Sequence, residues 1–157
     1  MERDISQPAN LQPLNVLVGE WTSEATHPAF PALVVAGRAT VAWLEGERFL
    51  LQRTQADHPE FPDALSVLGE TDEGLVNHYF DSRGVHRIYR LGFDDGVWRL
   101  WRDEPGFSQR FTGTFDDGGD RIVGVWEFSP DGSHWERDLE ITFLRRRTKG
   151  GSATSGG

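Results

Sequence analysis

The chain contains no cysteine and no apolar run of membrane-spanning length. The absence of cysteine excludes a disulfide framework, a thiol nucleophile and a cysteine-based metal site. The N-terminus, Met1-Glu2-Arg3-Asp4, also lacks the apolar stretch of a signal peptide. We therefore expect a cytoplasmic protein that has no membrane partner.

Positive charge is scarce as well. The 157 residues carry 16 Lys and Arg against 25 Asp and Glu, which gives a net charge of −9. Part of the basic charge is concentrated at the end of the chain, at Arg145, Arg146, Arg147 and Lys149. The remaining body is more acidic still and repels phosphate backbones, so we expect no nucleic-acid partner.

No stretch has the length or periodicity of a crossover helix. Instead, short runs rich in Val, Leu, Ile, Phe, Trp and Thr alternate with turns from Gly19 to Arg145, and several turns combine Gly with acidic residues. This alternation is typical of consecutive β-hairpins. We predict an all-β fold, a single antiparallel up-and-down β-barrel of about ten strands. A short helical turn at 11–17 precedes strands predicted at 18–26, 33–44, 47–55, 64–71, 74–81, 86–93, 96–103, 107–115, 120–128 and 134–145.

The length of the chain is that of one domain, which we expect to be a barrel over residues 1–147. The segment that follows consists mainly of Gly, Ser and Thr. Because such a composition has no means of forming a core, we predict that 148–157 is a flexible tail or a remnant of expression.

The hairpin turns predict which side chains face the barrel interior. A two-residue turn centred on Arg83-Gly84 places His78 opposite Tyr89, and side chains then alternate between the two faces. The predicted inner face comprises His78, Phe80, Tyr89, Leu91, Phe93, Trp98, Leu100, Gln109, Phe111 and Phe115. The predicted outer face of the same strands comprises Asn77, Tyr79, Asp81, His86, Arg90, Arg99 and Asp103.

Two inward polar residues are the strongest candidates for chemistry. His78 and Tyr89, paired across two strands in an aromatic cavity, could orient a ligand or act as a general acid and base. A hydrogen-bonded core pair without a ligand is the alternative interpretation. Arg53 or Arg110 could hold an anionic group of the ligand.

A five-residue motif, H-P-x-F-P, occurs twice, at 27–31 and 58–62. Two prolines in five residues exclude a central strand, so we predict that both copies are loops at the same end of the barrel. Phe30 and Phe61 would then cover the mouth as a lid, or merely cap the core. The same end collects histidines that are candidate metal ligands, or simply line the entrance: His27, His58, His86 and His134.

Gly19-Glu20-Trp21 on the first strand and Arg145 on the last resemble the calycin superfamily, which includes lipocalins, fatty-acid-binding proteins and nitrobindin-like barrels. The segments 17–21 and 43–50 resemble bacterial lipocalin-like domains of unassigned function. The resemblance implies that Trp21 plugs a closed end of the barrel and that Arg145 packs across it. Nitrobindin-like relatives bind haem through a histidine near the C-terminus. Here the last histidine is His134, at the start of the last strand, which argues against haem.

The predicted function is binding of a small hydrophobic ligand in an aromatic-lined pocket. An alternative is an enzyme on the same scaffold, an isomerase, cyclase or hydratase that uses His78 and Tyr89 as its acid and base. A haem- or metal-binding barrel is a further alternative, and the sequence identifies no cofactor. A homodimer formed through barrel edges also stays open.

Overall fold

The computed structural model describes residues 7–147 and shows a closed barrel of ten antiparallel strands, which confirms the predicted fold class. Each strand pairs with the next in sequence, and β1 pairs with β10 to close the barrel. A 3-10 helix, Ala9–Leu17, precedes the barrel, and a 3-10 turn, Asp117–Gly119, joins β8 to β9. The strands are β1 Gly19–His27, β2 Phe30–Trp43, β3 Phe49–Ala56, β4 Ala64–Thr71, β5 Gly74–Asp81, β6 His86–Asp94, β7 Val97–Arg102, β8 Ser108–Asp116, β9 Arg121–Ser129 and β10 Glu136–Arg145.

Within the described part of the chain, no helix has the length and apolar character needed to cross a membrane. The predicted tail, 148–157, lies outside the described residues.

The 3-10 helix closes one end of the barrel. Residues three apart lie on one face of such a helix, and Leu11, Leu14 and Leu17 are buried at 1%, 1% and 3% exposure. They belong to the same apolar cluster as Trp21, whose Nε1 donates a hydrogen bond of 2.9 Å to the Leu17 carbonyl. The three leucines of the helix and Trp21 of the first strand therefore form a single apolar plug at this end of the barrel.

Arg145 locks this plug to the last strand. Its guanidinium lies 4.2 Å from the centre of the Trp21 ring, and its Nη atoms donate to the carbonyls of Val16 and Val18. Its Nε donates to Asp120 Oδ1 at 2.8 Å. One side chain thus ties together the helix, β1, β10 and the turn before β9, as the calycin resemblance implied.

The first H-P-x-F-P motif differs from its prediction. β2 begins at Phe30, three residues early, so this copy forms a hairpin turn and a strand start rather than a loop. The β1–β2 ladder pairs His27 with Phe30 and then resumes at Ala25 with Val35. Residues 31–34 are unpaired in this ladder, and Pro31 is tolerated there because no ladder bond is lost. The second copy is a loop between β3 and β4, as predicted.

The predicted faces of β5 were wrong. Asn77, not His78, pairs with Tyr89, because the β5–β6 connection is a three-residue loop of 82–84 rather than a two-residue turn. Asp81 N donates to Val85 O at 3.0 Å, and Gly84 takes the left-handed conformation that closes such loops, with φ of 86°. A shift of one residue turns every side chain of a strand to the opposite face. The faces of β6, β7 and β8 match the prediction, since Leu91 pairs with Leu100.

Replacing Arg145 by methionine should lower the free energy of unfolding by about 2–4 kcal/mol, because several buried acceptors lose a charged donor at once. Urea denaturation measures the change. The matched control is Arg146→Met, which removes an exposed arginine 3.4 Å from Glu20 and should cost less than about 0.5 kcal/mol. Equal losses in the two variants would show that Arg145 does not stabilise the closed end.

Candidate functional site

The barrel contains a cavity of about 330 Å³ whose lining extends from the aromatic core to the loop-rich end. This volume lies at the lower end of the range for small-molecule sites. Four aromatic side chains, Tyr89, Trp98, Phe111 and Trp126, form much of its inner wall. Their rings pack at centroid distances of 4.9–5.5 Å in tilted and edge-to-face arrangements.

Two glycines set the position of the Phe111 ring. A Cβ atom at Gly113 would lie 2.9 Å from that ring, and one at Gly124 would lie 2.6 Å from it. Both distances are shorter than any carbon–carbon contact, so the ring occupies space that only glycine leaves free. The Phe111 ring therefore packs directly against the backbone of Gly113 and Gly124.

Six predicted ligand-binding residues line the cavity. Five of them lie on strands and face inward, as expected from the sequence. The sixth, Phe61, reaches the mouth from the β3–β4 loop. Contact of any of them with a ligand stays a prediction. The six are Phe61, Tyr89, Trp98, Leu100, Gln109 and Phe111.

His78 and Phe80 lie on the outside of the barrel, where the observed β5 register places them. His78 Nδ1 is 3.4 Å from His86 Nε2, and the Phe80 ring stacks on the His86 ring at a centroid distance of 4.6 Å. Phe80 is 41% exposed. The predicted His78–Tyr89 pair does not exist, because the two side chains point to opposite faces.

The other predicted contacts also lie away from the cavity wall. Arg53 is exposed on the outer face of β3, and Arg110 pairs with Glu127 at 2.7 Å. Phe30 is 65% exposed at the β1–β2 hairpin, so only Phe61 of the predicted lid contributes to the cavity. Arg53 on β3 and Arg110 on β8 point away from the cavity because alternate side chains of a strand face outward.

Three of the four histidines predicted as metal ligands, all except His86, have separate local partners. His27 and His58 use Nδ1 to accept the N–H two residues later, at 3.0 and 3.1 Å, which accounts for their shared motif. His27 Nε2 also lies 3.3 Å from Asp138, and His134 Nδ1 lies 2.7 Å from Asp131. Residues 7–147 contain no group of three or more acidic or histidine side chains placed to hold a metal ion.

Two buried polar atoms, on side chains that line the cavity, have no hydrogen-bond partner within residues 7–147. They are Asn77 Oδ1 and Trp98 Nε1, on side chains that are 2% and 3% exposed. By contrast, Tyr89 donates to Gln109 Oε1 at 3.1 Å. An unpaired buried polar group costs about 1–3 kcal/mol. Asn77 was predicted to face solvent. Gly84 could have corrected this prediction, because a glycine at the third position of a hairpin loop is typical of three-residue loops.

A charged group at the mouth joins β5 to the β5–β6 loop. Asp81 Oδ2 accepts hydrogen bonds from Tyr79 at 2.7 Å and from Arg83 Nη2 at 2.6 Å. The Arg83 hydrogen bond holds the pKa of Asp81 well below its usual range. Burial, and next the Asp81 carboxylate, raise the pKa of Tyr79. Tyr79 and Arg83 line the cavity, and Asp81 fixes both in place.

The described residues that line the cavity include no histidine. The wall therefore lacks the proximal ligand by which globins and peroxidases hold haem.

The barrel is similar to two solved structures. One is Rv2717c from M. tuberculosis, with a TM-score of 0.65 and 14% identity over 90% of this chain and 100% of that one. The other is CPES, an S-type phycobiliprotein lyase from Guillardia theta, with a TM-score of 0.52 and 13% identity over 88% of this chain and 93% of that one. Both are ten-stranded β-barrels of the calycin-like fold. No protein-family model and no curated protein matches the sequence, so these similarities show the fold alone.

Asp81→Asn should flatten the loss of stability at acid pH. A carboxylate with a lowered pKa stabilises the fold above its unfolded pKa, and this contribution disappears as the pH falls below about 4. Chemical denaturation between pH 7 and the acid range measures the slope. Asp103→Asn, on an exposed turn, is the control and should retain the slope of the wild type. A slope that Asp81→Asn leaves unchanged would contradict the role of this ion pair.

Asn77→Leu should raise the free energy of unfolding by about 1–2 kcal/mol, because it removes a buried acceptor that has no donor. Gln109→Leu is the matched contrast, since this second buried amide accepts the hydrogen bond from Tyr89 and its loss should destabilise the protein. Thermal and urea unfolding give both values. Destabilisation by Asn77→Leu as large as that by Gln109→Leu would mean that Asn77 is satisfied within the fold.

Proposed function

We propose that this barrel binds a small, largely apolar molecule in its cavity. The observation that carries the proposal is the cavity itself, a partly open space of about 330 Å³ whose exposed lining is mostly apolar. Concave, mainly apolar sites with a few polar groups are the usual binding sites of small molecules.

The wall specifies the chemistry of the ligand. The rings of Tyr89, Phe111 and Trp126 offer flat apolar contact surface. Hydroxyl and amide side chains such as Ser66 and Gln52 add a few hydrogen-bonding groups to the same wall. The ligand that fits is therefore an apolar body with a few hydroxyl, carbonyl or amide groups.

Binding is favoured over catalysis by the composition of the wall. The groups around the inner cavity are phenols, amides, two indoles and hydroxyls, and the only carboxylate among the described residues of the wall, Asp138, lies next to His27. The alternative enzyme needed His78 as its acid and base, but that imidazole is outside the barrel. The described inner wall thus lacks the histidine and carboxylate side chains that serve most often as general bases.

We also assign the chain to the calycin superfamily. The Trp21–Arg145 contact at the closed end supports this assignment. The two similar barrels support it at the level of the fold. One of them is a phycobiliprotein lyase, which is compatible with a small-molecule site in a barrel of this type.

A neutral fluorescent probe tests the proposed function. N-phenylnaphthylamine becomes bright in apolar surroundings and should bind the wild-type protein with saturation. Ser66→Phe, which projects into the cavity from β4, should weaken this binding about tenfold or more by filling the site. The control is Val67→Phe, the next residue of the same strand, which faces outward and should leave the affinity within about twofold.

Either of two results would overturn the proposal. The first is wild-type protein that shows no saturable fluorescence. The second is equal loss of affinity in Ser66→Phe and Val67→Phe, which would place the probe somewhere other than the cavity. Thermal unfolding of each variant confirms that the barrel is intact before titration.

A further inference from the structure

The charged residues at the mouth of the cavity are divided between two sides. Arg83 and Arg87, on the β5–β6 hairpin, line one side. Asp138, on β10, lines another and lies 3.3 Å from His27 Nε2. The remaining charged residue of the wall, Arg38, is exposed and lies 3.4 Å from the Gln55 side chain. Two of the guanidinium groups of the wall, those of Arg83 and Arg87, therefore belong to the same hairpin.

The Arg83 guanidinium is held in a fixed position. Both its Nε and its Nη2 donate to the same oxygen of Asp81, at 3.2 and 2.6 Å. The Asp81 side chain is fully buried, whereas that of Arg83 is 55% exposed. The carboxylate therefore lies beneath the arginine, and the outer edge of the guanidinium remains open to a second anion.

Arg87 has a different environment. It is half-buried, faces Tyr79 across the β5–β6 ladder, and lies 5.4 Å from the centre of the Phe107 ring. No ion pair links it to a carboxylate among residues 7–147. A partly desolvated cation without a counter-ion is costly, and an anion at the mouth would remove that cost.

We propose that the ligand carries an oxyanion, which Arg87 binds at the mouth with help from Arg83. The inference rests on the proposed function, because the apolar body of the same ligand fills the cavity. The ligand class is an amphiphile with one carboxylate, sulfonate or phosphate group, and its apolar body points toward Trp126 and Phe111. Asp138 repels the oxyanion and so directs it to the β5–β6 side.

Because the protein has a net charge of −9, an anionic ligand needs a local cluster of positive charge in order to bind. A body with a charge of −9 repels an anion at long range. The guanidinium groups act over a few ångströms, where attraction at a partly buried site is stronger and less screened by salt. An anionic ligand therefore binds here only if the mouth outweighs the charge of the body.

Two probes that differ in one group test the proposal. Anilinonaphthalene sulfonate is N-phenylnaphthylamine with an added sulfonate, so the ratio of their affinities reports the contribution of the anion. Arg87→Gln should lower the affinity for the sulfonate about tenfold and leave the neutral probe within about twofold. Arg87→Lys, which keeps the charge but loses the planar fork, should fall between the wild type and Arg87→Gln. Arg99→Gln, on the outer face of β7, makes the same change in net charge and should leave the ratio unchanged.

Each outcome decides the question. Selective loss of sulfonate binding in Arg87→Gln supports the proposal, and an unchanged ratio or an equal loss for both probes overturns it. Binding of the neutral probe alone would overturn this inference and leave the proposed function intact. Binding of neither probe would overturn both.

Discussion

The pairing of β1 with β10 is the constraint on which the rest of this structure depends. A meander of hairpins becomes a container only when its first and last strands meet. Here that closure joins Trp21 to Arg145 and brings the 3-10 helix under the barrel. With one end sealed in this way, the interior opens toward the loops alone, and every inward side chain faces a single shared space.

The two ends of the barrel follow different physical rules. The closed end is held by converging hydrogen bonds to one guanidinium and by leucines that exclude water. The open end instead carries the cations Arg83 and Arg87, one exposed and one half-buried, around the cavity. The two ends therefore differ in kind, since one is stabilised by packing and the other is lined by charged and polar groups.

The sequence predicted most of the fold because its signals were local. Turn residues and the two-residue period identified ten strands, and Gly19, Trp21 and Arg145 identified the closed end. The candidate site was harder, since it depends on register. Because the β5–β6 loop has three residues rather than the predicted two, Asn77 lies on the inner face in place of His78. Tyr79 and Arg83 line the cavity as well. The faces of β6, β7 and β8 were predicted correctly, so among these four strands the error was confined to β5.

The glycines under Phe111 have a consequence for how this cavity could differ among related barrels. Gly113 and Gly124 touch no ligand space themselves, yet any side chain there would push the Phe111 ring inward. The shape of the site is thus encoded partly by what two positions lack. A single added methyl group behind the wall would change the shape of the cavity while leaving every side chain that lines it unchanged in identity. Under the proposed function, such a change alters ligand selectivity without altering any lining residue.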